Sequence, residues 1–211
     1  MPTGNFGDVF AGYVAARMGL PVARLIVATI VNDIVVRAIE SGDYSCGTVT
    51  PTATPSMDIQ VSSNFERLLF DLIGRDAGTL AGMMHDFEAT RRLTIPTDIR
   101  VPATALFKGY AVEAQAMAEA MRWANTRCGQ LVDPHTAIGL AAARALDLGD
   151  VPVVTLATAH PAKFREAVER ATGVRPTLPT RLAGLFDRHE RYDNLPATLD
   201  AVRNYVFDRA V

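Results

Sequence analysis

Cysteine is scarce: Cys46 and Cys128 are the only two in 211 residues. They are too few and too far apart for a zinc framework and leave at most one disulfide open, so a reducing cytoplasm is the expected compartment and no metal is expected. Charge of one sign is also lacking. With 21 Lys and Arg against 23 Asp and Glu, the formal net charge is −2 and the pI about 6.1, which gives no electrostatic case for nucleic acid, and no run of like charges marks an interaction tail. No apolar run reaches the ~20 residues needed to span a bilayer, and the N-terminus lacks the basic and apolar segments of a signal peptide. A soluble protein without a membrane partner is expected. Internal repeats and interdomain linkers are missing as well, so residues 1–211 are expected to form a single segment. What is present, 49% hydrophobic and 21% charged residues, describes a globular chain long enough for one ordinary domain or one large piece of a bigger one.

Along the chain, periodicity and punctuation suggest alternating elements. Asp8 reads as the cap of a helix over 9–18, RLIVA at 24–28 as a short buried strand, and 33–40 as a second helix. The Ser-, Thr-, Pro- and Gly-rich stretch 41–60 reads as an irregular loop on a surface or across a cleft. Ser63 and Glu66 have capping-box spacing ahead of Leu68, Leu69 and Leu72. A helix is expected over 80–91, a loop or weak strand over 94–108, and a helix over 111–125 with Met117 and Met121 as core residues. Asp133 and Pro134 open the next helix as N-cap and first helical residue. VPVVTLAT at 151–158 reads as a buried strand, followed by a helix from Pro161 to the stop at Gly173. Two helical segments follow residue 176, the second opened by Asn194 and Pro196.

This order implies an α/β fold, a partial three-layer sandwich with a mostly parallel sheet, whose ligands bind at the carboxyl ends of strands. Two convincing strands cannot bury both faces of such a sheet. Either the ambiguous segments hide more strands or polypeptide outside this sequence completes the sheet, and the opening on a loop favours the second.

That opening loop, GNFGD at 4–8, has two glycines free to take conformations closed to side chains, just before a helix whose first amides lack intrahelical partners. Such a helix start suits a phosphate, although a plain capped turn would look the same. Among other polar residues, Asn32 and Asp33 read equally as facing a ligand or capping a helix. His135 and His160 read as caps or packing groups, His85 and His189 as structural, and Asp133 as a cap. Tyr44, Cys46 and the TPTATPS loop lie where they could close over a site.

Four stretches, GNFGD at 4–8, SMDIQVSSNFERLLFDL at 56–72, DPHTAIG at 133–139 and TAHPAKF at 158–164, together resemble threonine synthase, a pyridoxal phosphate enzyme of the tryptophan synthase β-subunit fold type. The resemblance covers most of the chain and implies the C-terminal half of an enzyme about twice as long. It implies pyridoxal 5'-phosphate as cofactor and, for the whole enzyme, conversion of O-phospho-L-homoserine and water to L-threonine and phosphate. By similarity, Gly4, Asn5, Phe6 and Asp8 cradle the cofactor phosphate, with Gly7 giving the turn its freedom, and Thr158 meets the pyridine nitrogen. Neither of the two lysines, Lys108 and Lys163, sits in a sequence like the family's Schiff-base lysine motif. That lysine and most substrate-phosphate contacts are expected in the N-terminal half, so no catalytic residue is assigned here. The alternative is a non-catalytic phosphate- or nucleotide-binding module on the same scaffold.

Overall fold

The computed structural model describes residues 1–210. It divides into two compact units, Met1–Pro176 and a smaller one that begins at Thr177.

In the first unit a parallel pair of strands lies at the centre, β1 (Leu25–Thr29) and β2 (Phe107–Ala111), with Leu25 opposite Phe107 and Thr29 opposite Ala111. Residues 1–3 run along the other edge of β1. Pro2 bridges Ala28 in parallel, the Thr3 amide donates to the Ala28 carbonyl at 2.9 Å, and the Ala28 amide donates to the Met1 carbonyl at 3.0 Å. The glycine loop therefore does follow a stretch of sheet pairing, only three residues long and too short to be read from sequence.

The helices of this unit are α1 (Gly7–Arg17), α2 (Ile34–Ser41), α3 (Phe65–Leu72), α4 (Ala77–Thr90), α5 (Thr97–Thr104), α6 (Ala114–Cys128), α7 (Pro134–Ala145) and α8 (Arg165–Thr172), with a 3-10 turn at Pro55–Met57. Alternate residues of β1 enter two different cores, as a period of two requires. Leu25 and Val27 join Phe6, Val9, Tyr44, Phe65, Leu68 and Phe107 on one face. Ile26 and Ala28 join Met57, Met117, Met121, Ile138 and Val168 on the other. Helices thus cover both faces of a small parallel sheet, the mixed α/β arrangement expected.

Several local expectations are corrected. Residues 94–108 form α5 and lead into β2 rather than remaining a loop or weak strand; Pro102 lies inside α5. Gly109 disguises β2 in the sequence, yet it is there for packing: a Cβ would come within 3.0 Å of Val36 Cγ1 and 3.1 Å of Glu40 Cγ on α2. α4 starts earlier than expected because Asp76 caps it, accepting from the Gly78 and Thr79 amides. Residues 151–158 form no strand. Val151, Val153 and Val154 are 51%, 49% and 77% exposed, since an apolar β-branched run becomes a buried strand only beside a neighbour that takes its backbone hydrogen bonds.

The second unit contains α9 (Leu199–Arg209), preceded by short 3-10 turns. Its cap is Thr198, whose Oγ1 accepts from the Ala201 amide at 3.4 Å, rather than Asn194.

Candidate functional site

The loop at 4–8 is shaped by Phe6. Its ring is fully buried against Phe65 and Phe107, with centroids 5.3 Å and 5.9 Å away, and its φ is +64°. The left-handed backbone that the sequence assigns to the glycines is carried by a phenylalanine, at a conformational cost of about 1–2 kcal/mol that burial of the ring offsets. The Phe6 amide is already engaged, donating to Thr3 Oγ1 at 2.9 Å. Gly4 is required sterically, because a Cβ would lie 2.9 Å from Met57 Cα and from the Ser56 carbonyl oxygen. At Gly7 a Cβ would meet only Asn64 Nδ2, at an ordinary 3.5 Å, so protein packing gives no reason for a glycine there.

α1 begins at Gly7 with Phe6 as its cap and no side-chain capping bond. Asp8 is therefore not the cap but a residue of the first turn, where a carboxylate suits the positive end of the helix dipole. The backbone N–H groups of Gly4, Asn5, Gly7 and Asp8 find no acceptor among the described residues. Asn5 is gripped from one side: its Oδ1 accepts from the Ser63 amide at 2.7 Å and from Ser63 Oγ at 2.8 Å. Its Nδ2, which carries two donors, has no acceptor among the described residues.

These groups open on a cavity of about 260 Å³. Gly4, Asn5, Gly7 and Asp8 line it, together with Thr158 at the end of the stretch 151–158. Phe6 does not line it, since its ring belongs to the core. Lys163 and Phe164 contribute to the wall, with Lys163 Nζ 5.5 Å from the Phe164 ring centroid. Lys108 lies elsewhere, paired with Glu40 at 3.1 Å.

The remaining candidates have mainly structural partners. Asn32 is buried and spans both ends of a loop: Nδ2 donates to the Thr50 carbonyl at 2.8 Å and to Asp58 Oδ1 at 3.0 Å, while Oδ1 accepts from the Thr50 amide at 2.9 Å. Asp58 in turn accepts from the Thr52 amide and hydroxyl, both at 2.7 Å. This network fixes the turn that brings Ser56 and Met57 to the cavity. Asp33 stands at the N-cap of α2 without a capping bond and pairs with Arg37 at 2.9 Å. Tyr44 is buried beside Phe65 and Phe87 instead of closing over the site, and burial pushes its hydroxyl pKa up to about 12. Cys46 Sγ donates to the Gln60 carbonyl at 3.0 Å, and both cysteines are free thiols. His160 Nδ1 accepts from the Ala162 amide at 3.1 Å, a helix-start cap; His85 and His189 are exposed.

Asp133 caps α7 as expected and does more. Fully buried, it accepts from the His135 amide at 2.9 Å, lies 3.1 Å from His135 Nδ1, and takes the Thr136 hydroxyl. Burial pushes its carboxyl upward, but the hydrogen bonds from His135 and Thr136 outweigh this and hold it below the usual carboxylate range. Its partner His135 packs on Phe164 with centroids 4.6 Å apart and also lines the cavity. The sequence signalled the cap but not the dyad. Among the described residues no cluster of His, Cys, Asp and Glu is placed to hold a metal, and no helix is long and apolar enough to cross a membrane.

The cavity therefore draws residues from four separated stretches: 4–8, 56–64, 133–139 and 158–164. A family model described as "Threonine synthase, C-terminal" matches residues 136–206. The threonine synthase of Pseudomonas aeruginosa is 49% identical over 208 residues, covering 98% of this chain and 44% of that protein. That of Corynebacterium glutamicum is 38% identical and covers 99% and 45%. In structure, a pyridoxal phosphate-bound threonine synthase from Brucella melitensis superposes with a TM-score of 0.91 at 46% identity, covering 99% of this chain and 46% of that one. A yeast threonine synthase superposes with a TM-score of 0.84 at 31% identity. The chain matches the C-terminal part of the threonine synthases. It spans slightly less than half the length of the threonine synthases it matches. Each of the four stretches on which the sequence resemblance rests contributes at least one residue to the lining of the same cavity.

Proposed function

We propose that this chain forms the cofactor-phosphate and ring-nitrogen side of a pyridoxal phosphate-dependent threonine synthase, which converts O-phospho-L-homoserine and water to L-threonine and phosphate. The observation that carries this reading is the shared cavity, which the loop at 4–8 and Thr158 line together. The donor set suits a phosphate group: four backbone amides without protein acceptors at a helix start, joined by the Asn5 carboxamide. Gly7, a glycine with no packing reason, leaves room for close approach of a ligand.

Pyridoxal 5'-phosphate bound there would supply the electron-withdrawing ring that stabilises negative charge on substrate carbons. Thr158, which lines the same cavity, would offer the pyridine nitrogen a neutral hydroxyl in place of a carboxylate, a partner that does not stabilise a protonated nitrogen. Gly4, Asn5, Gly7 and Asp8 would hold the phosphate by their amides, with Phe6 setting the turn from behind. Met57 and Phe164 add apolar wall that limits water. Lys163, on the same wall, adds positive charge beside an anionic ligand. The Schiff-base lysine and the substrate-phosphate contacts belong to the part of the threonine synthases that this chain does not span, and that part is its functional partner. The matches described above are threonine synthases, which favours this reading over a phosphate-binding module without chemistry.

The test is a chimera in which this chain replaces the matching C-terminal part of the Pseudomonas aeruginosa enzyme. Threonine and inorganic phosphate should form from O-phospho-L-homoserine, and Thr158→Val should lower the rate. A folded chimera that binds pyridoxal phosphate yet forms no threonine would refute the proposal.

A further inference from the structure

Ser63 stands at a position where the sequence spells a capping box, yet α3 takes Asn64 as its cap and has no side-chain capping bond. A helix start without its cap gives up about 0.5–2 kcal/mol. The Ser63 hydroxyl is used instead on a residue 58 positions away, donating to Asn5 Oδ1 at 2.8 Å beside the bond from its own amide at 2.7 Å. The next residue continues the clasp, the Asn64 amide donating to the Asn5 carbonyl at 3.3 Å.

We infer that Ser63 is a positioning residue for the phosphate cradle: it pins the Asn5 oxygen so that the carboxamide turns its NH₂ to the bound anion. This rests on the cradle proposed above. A phosphate dianion carries only acceptors, so each side chain that faces it must donate. Asparagine is ambiguous in this respect, because a half-turn of the carboxamide exchanges NH₂ for an oxygen whose lone pairs repel the anion. Two donors from Ser63 converging on one oxygen remove that ambiguity before the ligand arrives, and such preorganisation raises affinity by lowering the ordering cost of binding. It also explains why local sequence logic fails at Ser63: local stability of α3 is relinquished at a functional contact.

The test uses the full chain, labelled with ¹⁵N and titrated with inorganic phosphate and with pyridoxal 5'-phosphate. In the wild type the Asn5 side-chain amide should be rigid before ligand is added and should shift with the Gly4 and Gly7 amides during titration. Ser63→Ala keeps the backbone bond and removes the hydroxyl. It should mobilise the Asn5 side chain and weaken phosphate binding about three- to tenfold, whereas Ser63→Thr should stay within about twofold of wild type, having kept the hydroxyl. An Asn5 side chain equally ordered in Ser63→Ala, with unchanged affinity, would overturn the inference while leaving the cradle intact. No shift at Gly4, Asn5 or Gly7 in the wild type would overturn the cradle and the role of Ser63 with it.

Discussion

Asn5, Phe6 and Asp133 each couple a backbone conformation to the site. Phe6 keeps a positive φ because its ring is locked between Phe65 and Phe107. Phe6→Ala should destabilise the chain by about 3–5 kcal/mol, measured by urea unfolding. Asn5→Asp keeps the acceptor that Ser63 grips but replaces the donor facing the ligand with a charge of the wrong sign. Affinity for pyridoxal phosphate should fall about 10- to 100-fold, with little change in unfolding midpoint. Asp133 has its pKa lowered by folding, so its stabilisation is complete above the unfolded pKa of about 4 and is lost as pH falls through the lower folded value. Asp133→Asn should therefore reduce stability at neutral pH and make the acid limb of the stability curve shallower, which unfolding titrations between pH 2 and pH 7 would show, values about the usual carboxylate range. The cap role of Asp133 was legible because its partners lie two and three residues on. The role of Ser63 was not, because its partner belongs to another motif and only the folded chain brings the two together.

Among the elements, those with local signals were readable: α1, β1, α2, α3, α6, α7 and the helix ended by Gly173 lie within a few residues of their expected places. β2 was missed because Lys108 and Gly109 break its apolar pattern, and Gly109 is dictated by the approach of α2. The stretch 151–158 was misread in the opposite sense, its composition saying strand where no strand among the described residues pairs with it. How it is held is testable at α7. A Cβ on Gly139 would lie 2.9 Å from Thr155 Cγ2 and 3.1 Å from Pro2 Cδ. Alanine gains about 1 kcal/mol of helix propensity, but overpacking of this kind costs about 1–3 kcal/mol, and a proline ring has little room to yield. Gly139→Ala should thus lower stability slightly. It should lower pyridoxal phosphate affinity further, because Pro2 leads into the phosphate loop and Thr155 into Thr158.

At the scale of the whole molecule, the described residues form a two-stranded sheet and leave the valines at 151, 153 and 154 exposed. The deficit of strands was legible in the sequence, and the relatives are more than twice as long as their match to this chain. In the chimera with the Pseudomonas aeruginosa enzyme, backbone amides of 151–158 should exchange with solvent far more slowly than in this chain alone, as measured by hydrogen–deuterium exchange. The central claim, that one cavity holds both ends of the cofactor, is tested most directly by amide-resolved titration of that chimera with pyridoxal 5'-phosphate. Signals of Gly4, Asn5, Gly7 and Thr158 should shift together along one binding curve, and pyridoxal without its phosphate should bind far more weakly. Shifts at the loop with none at Thr158, or the same affinity for both compounds, would contradict it.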